Sequence, residues 1–114
     1  MQLSKYDMEC LAKVKDIIDK DYSVHHNIDT LAYHAGIGTT KLKKGFKNTY
    51  GLGIYQYLKE QRLQQAMRAI KEGNKTIKQI AKDSGFRHAN NFIAAFKQRF
   101  GITPGKVKKE DQGG

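Results

Sequence analysis

The chain carries one pattern twice. Ile28-x-x-Leu31-Ala32-x-x-Ala35-Gly36-Ile37 is matched by Ile77-x-x-Ile80-Ala81-x-x-Ser84-Gly85-Phe86, every position offset by 49 (36 to 85). Beyond the glycine the second copy gains one residue, so Leu42 pairs with Phe92, Phe46 with Phe96, Lys47 with Lys97 and Gly51 with Gly101. A duplicated structural unit accounts for this better than chance does. Each copy has the chemistry of two short helices crossing steeply. A small residue (Ala32, Ala81) sits where they touch, the glycine serves a turn that demands positive φ, and an apolar residue (Leu42, Phe92) locks the pair.

Helical signals fill the rest of the chain. Ser4 caps a helix running to about Lys20, with Asp7 completing a capping box and Met8, Leu11, Val14 and Ile18 at helical spacing. Asn27 caps a helix of barely two turns that Gly36 ends, and a second runs from Thr39 to about Asn48. Ile54 to Glu72 lacks glycine and proline and reads as one continuous helix, with Leu63, Ala66, Met67 and Ile70 as its apolar stripe. Thr76 with Gln79 makes a capping box for Ile77 to Ser84, and His88 to about Phe100 packs through Phe92, Phe96 and Phe100. Thr103-Pro104 opens a short last helix, and residues 110–114 read as a frayed tail. No segment alternates with a strand period, so the expected fold is all-α.

An ordinary helical hairpin also uses Ala and Gly at such places. Two copies joined by a basic helix point instead to two helix-turn-helix units, at about 27–50 and 76–101, joined by a linker helix at about 54–72, all within a domain spanning 1–109. The charge balance fits: 21 Lys+Arg against 11 Asp+Glu give a net +10, which favours a polyanionic partner.

In such a unit the second helix enters the major groove of duplex DNA, its first residues meeting base edges. The first unit offers Thr39, Thr40, Lys43, Lys44 and Lys47 as base readers. Lysine reaches guanine O6 and N7, and threonine touches the thymine methyl or donates a hydrogen bond. A lysine run this dense, Lys41 included, is self-repelling without a polyanion nearby. The second unit offers Ala89, Asn90, Asn91 and Ala94, asparagine being able to pair with adenine N6 and N7. With Ala94 where the first unit has Lys44, the second unit reads as the weaker reader. Charge places Arg62, Lys75, Thr76, Lys78, Arg87, Lys97 and Lys106 as phosphate ligands; His88 joins them, though it serves equally as a helix-start residue. The linker's 19 residues at ~1.5 Å each span about 28 Å, near the ~34 Å between successive groove faces, so a monomer suffices for two groove segments.

These residues resemble the DNA-binding domain of the AraC/XylS family of bacterial transcription regulators. The resemblance rests on Leu31-Ala32-x-x-Ala35-Gly36, Leu42-x-x-x-Phe46-Lys47, Arg62-Leu63-x-x-Ala66, Ile80-Ala81-x-x-Ser84-Gly85-Phe86 and Phe92-x-x-x-Phe96-Lys97-x-x-Phe100-Gly101-Ile102-Thr103-Pro104. It implies about seven helices in two homeodomain-like helix-turn-helix subdomains, sequence-specific binding of double-stranded DNA, and activation through contact with RNA polymerase. It carries base reading onto Thr40, Lys43, Lys44, Ala89, Asn90, Asn91 and Ala94. Val107-Lys108 depart from the family's tyrosine and arginine after Thr-Pro, Gly38 from its usual serine cap, Gly45 lies inside the recognition helix, and Ala94 lacks a long polar side chain. Family members usually carry a separate sensing domain, which 114 residues do not accommodate.

Other functions fit less well. No Gly-rich phosphate loop, paired acids or triad is present, and His25, His26, His34 and His88 lack metal-ligand spacing with Cys10, so neither an enzyme nor a cofactor or metal is expected. His25-His26 reads as an exposed turn. The lone cysteine excludes an internal disulfide and fits a reduced, cytoplasmic compartment as a small buried residue. The first residues, MQLSKYDMEC, have no signal-peptide core, and no apolar run approaches the ~18 residues of a membrane span. A helical module binding lipid or an acidic protein would need exposed apolar faces, whereas here they are consumed by paired helices. Nonspecific nucleic-acid binding is the other alternative.

Overall fold

The computed structural model describes residues 2–113, in which seven helices and no strand follow one another. The first, α1 (Lys5–Lys20), begins at the expected capping box: Ser4 Oγ accepts from the Asp7 N–H and the Asp7 carboxylate from the Ser4 N–H, both at 3.0 Å. Asn27 caps α2 (Ile28–Ala35), and Gly36 ends it with φ +81°, a left-handed conformation that costs any residue with a Cβ. Then follow α3 (Thr39–Tyr50), α4 (Ile54–Glu72), α5 (Ile77–Asp83), α6 (Ala89–Phe100) and α7 (Pro104–Gly113). The repeat is literal: α3 and α6 are both 12 residues long and each ends on a left-handed glycine, Gly51 or Gly101.

The chain divides into two compact units, Met1–Lys59 and Glu60–Gly114, and the boundary falls inside α4. In the first unit α1 packs on α2 and α3. Leu11, Val14, Ile18, Leu31, Ala32, Leu42 and Phe46 form its core, closed by Ile54 and Leu58 of α4. The Tyr57 hydroxyl donates to the Asp19 carboxylate, which Lys15 also pairs at 3.1 Å. In the second unit α6 packs on α5 and α7, and Phe92, Phe96, Ile80, Ala81 and Val107 gather around Leu63, Ala66 and Ile70 of α4. The linker helix is therefore core to both units, as well as a connection between them.

Several local expectations are corrected. Met8, expected on the inward stripe, is exposed, because that stripe of α1 runs Asp7, Cys10, Leu11, Val14, Ile18; Cys10 is completely buried, as expected. His26 is buried; its Nε2–H donates to the Asp21 carbonyl at 2.7 Å and so closes the α1–α2 loop, while His25 is exposed. At α5 only half the capping box forms: Thr76 Oγ1 accepts from the Gln79 N–H at 3.1 Å, but the Gln79 amide turns to Asp83 instead. α3 runs two residues past Asn48, since Gly51 is the first residue after its start to adopt positive φ. Residues 110–113, read from composition as a tail, continue α7; Gly114 lies outside the described residues.

Candidate nucleic-acid interface

Because Leu42, Gly45 and Phe46 turn inward, α3 presents Thr40, Lys41, Lys43, Lys44, Lys47 and Asn48 to solvent. Gly45 permits this seating. A Cβ there would lie 3.2 Å from Leu3 and 3.3 Å from Leu11, so glycine lets α3 lie close against α1. Lys43, Lys44 and Lys47 are exposed and make no ion pair with any described residue. Three unneutralised ammonium groups on one helix face make a local positive potential that attracts anions.

Two neighbours on α3 are already engaged. Lys41 pairs with Asp7 at 3.2 Å, and the Asp7 side chain is only 8% exposed. The Ser4 backbone N–H, assisted by Lys41, holds the Asp7 carboxyl below the usual carboxylate range. Thr39 is half-buried, and its hydroxyl donates to Asp29 at 3.0 Å, which ties the start of α3 to α2.

The second unit repeats the arrangement with different chemistry. Phe92 and Phe96 turn inward, so Asn90, Asn91, Ala94, Lys97 and Gln98 form the exposed face of α6, with Ala89 half-buried. His88 occupies the N-cap, exposed and without a side-chain cap bond. Thr76, Lys78 and Arg87 line a cleft of about 430 Å³ together with Lys82, a basic residue absent from the sequence-derived set.

The remaining phosphate candidates are scattered. Lys75 is bound to Asp83 at 2.8 Å and its carbonyl accepts from Lys108, so it is partly spent within the protein. Lys75 in turn holds the Asp83 carboxyl below its ordinary range. Arg62 on α4 is half-buried, and burial lowers its guanidinium pKa. Lys97 and Lys106 are exposed on α6 and α7. Asn48 and Gln98 were also missed; continuing the helical rows one turn past Lys44 and Ala94 would have found them. Among the described residues no group of three or more His, Cys, Asp or Glu side chains is placed to hold a metal ion, and no helix is long and apolar enough to cross a membrane.

A family model described as a helix-turn-helix domain matches residues 31–110. The chain is 28% identical over 97 residues to the HTH-type transcriptional regulator MtrA of Neisseria gonorrhoeae, covering 85% of this chain and 32% of that protein. It is 32% identical over 92 residues to a putative AraC-like transcription regulator of Streptomyces lividans, covering 81% of this chain and 30% of the relative. It thus spans about a third of these relatives' length. In fold it is similar to the DNA-binding domain of the global transcriptional factor AdpA, solved in complex with a target DNA: TM-score 0.85 at 22% identity, covering 92% of this chain and 95% of that one.

Proposed function

This chain belongs to the AraC/XylS family of helix-turn-helix regulators, and from that premise we propose that it binds double-stranded DNA sequence-specifically as a monomer and regulates transcription. In this reading α3 and α6 enter successive major-groove segments, Lys43, Lys44, Asn90 and Asn91 meet base edges, and Lys78, Arg87 and Lys106 grip phosphates. Activation through contact with RNA polymerase, in the cytoplasm, belongs to the same reading.

The observation that carries it is the pair of equal 12-residue helices, locked by the buried side chains of Leu42 and Phe46 in one and Phe92 and Phe96 in the other, each presenting an exposed polar face. Lys43, Lys44 and Lys47 on α3 have no ion-pair partner among the described residues, which suits a face meeting a polyanion.

Selection of bound duplexes from a random pool, followed by footprinting of the winner, tests it. The expected outcome is protection of two adjacent groove segments and a site bound at least ~10³-fold more tightly than random duplex. Equal affinity for all sequences would reduce the protein to a nonspecific binder, and stronger retention on anionic vesicles than on DNA would favour a lipid-surface module.

A further inference from the structure

The two exposed helix faces line up position by position, because α3 and α6 share length and inward pattern. Thr40 corresponds to Asn90, Lys41 to Asn91, Lys43 to Ile93, Lys44 to Ala94, Lys47 to Lys97 and Asn48 to Gln98. Lys43 is exposed, whereas Ile93 is partly buried against the second core, so α6 loses that reader altogether. Lys44 becomes a methyl group. What α6 keeps are three exposed amides, Asn90, Asn91 and Gln98, none hydrogen-bonded to any described residue.

We propose that the two units read different base chemistries: α3 selects guanine through Lys43 and Lys44, while α6 is an adenine and thymine reader built from Asn90, Asn91 and Gln98 around Ala94. This rests on the DNA-reading assignment made above. An ammonium donates only and fits the paired acceptors O6 and N7 of guanine. An amide both donates and accepts, and so matches adenine, which offers N7 as acceptor and its N6 amino group as donor. Ala94, on the same face one turn beyond Asn90 and Asn91, is short and apolar, which suits the thymine methyl and leaves the flanking amides room to reach the groove floor.

Apart from Lys97 and the Glu60-bound Arg99, the cations nearest α6 in the second unit lie on neighbouring segments. Lys78, Lys82 and Arg87 flank the cleft beside α5, and Lys106 and Lys108 are on α7. Charge there serves phosphate contact, and the reading face itself carries one cation, Lys97. In α3 the cations are on the reading face. The consequence is a bound site that is asymmetric in base composition, with guanine fixed in one half and A·T pairs fixed in the other.

The test selects duplexes from a random pool with the 114-residue chain, with Lys43→Ala/Lys44→Ala and with Asn90→Ala/Gln98→Ala. All four positions are exposed, and circular dichroism confirms folding of each variant. The lysine variant should lose base preference only in the guanine half, the amide variant only in the A·T half. In the winning duplex, 7-deazaadenine in the A·T half removes the N7 acceptor and should weaken binding about 5- to 100-fold, with no further loss in the amide variant. Guanine fixed in both halves, or an amide variant with unaltered preference, would overturn the division of labour while leaving DNA reading intact. Failure to enrich any sequence would overturn both proposals together.

Discussion

Arg99, near the end of α6, holds the carboxylate of Glu60 on α4 by two hydrogen bonds, Nε to Oε1 at 2.7 Å and Nη2 to Oε2 at 2.9 Å. The planar fork matches the two oxygens, and Gln64 donates to the same carboxylate at 2.7 Å. Arg99→Ala should therefore destabilise the second unit only modestly, because Arg99 is nearly half exposed and solvent screens the pair. Arg99 holds the Glu60 carboxyl below its ordinary range. A depressed folded pKa contributes stability above the unfolded value of about 4.3 and loses it as pH falls through the folded one. The Arg99→Ala penalty should thus be present at neutral pH and shrink as pH drops below about 4, read from urea midpoints at each pH.

A second pairing concerns the turn of the first unit. The Tyr6 hydroxyl donates to the Gly36 carbonyl at 2.7 Å, and a Cβ on Gly36 would lie 2.6 Å from the Tyr6 hydroxyl oxygen. Gly36→Ala faces both the left-handed φ and this collision, and should cost about 2–3 kcal/mol. Tyr6→Phe removes the hydroxyl and should lower stability slightly on its own, since the bond is exposed. Combined, the two should cost less than the sum of the singles, since the collision has gone; a double-mutant cycle by thermal unfolding measures it.

Gly45 tests the seating of α3 against α1. Gly45→Ala should change stability by less than about 1 kcal/mol, the gain in helix propensity being offset by the displacement of Leu3. Gly45→Leu has no such room and should destabilise by about 1–3 kcal/mol. If Gly45→Leu unfolded at the wild-type midpoint, the close approach would not be a constraint.

Reader and anchor residues should separate in binding. Lys44→Ala should relax base preference within one half-site, because Lys44 lies on the exposed face of α3. Lys78→Ala, beside the α5 cleft, should weaken all sequences alike and flatten the salt slope by about one unit. Titrations of matched and scrambled duplexes at several salt concentrations distinguish the two; identical uniform losses would contradict the assignment.

Helix boundaries were legible where a local chemical device marks them. Ser4 with Asp7, Asn27, the positive-φ glycines and Pro104 each act through a neighbour within four residues, and α4 begins and ends where the chain's glycines said it would. What escaped depends on partners distant in sequence. Gly45 looks like a weak point in a helix until Leu3 and Leu11 are packed against it. Lys41 looks like one more free cation of the lysine run until Asp7 is found 3.2 Å away. Met8 has helical spacing with Leu11, and only the seating of α1 on α2 and α3 leaves it outside. His26 required the loop to close on itself. For the candidate DNA-contacting residues, spacing identified an exposed helix face, while the engagement of Thr39, Lys75 and Lys41 with Asp29, Asp83 and Asp7 was invisible without coordinates.

The division of the chain within α4 bears on how this molecule can be dissected. Ile54 and Leu58 wall one core, and Leu63, Ala66 and Ile70 wall the other. A cut at Gly53 strips the N-terminal fragment of its last wall, and a cut at Gly73 strips the C-terminal fragment of its first. Neither loop, then, is a usable excision point, and an autonomous half would have to carry its own copy of the shared segment.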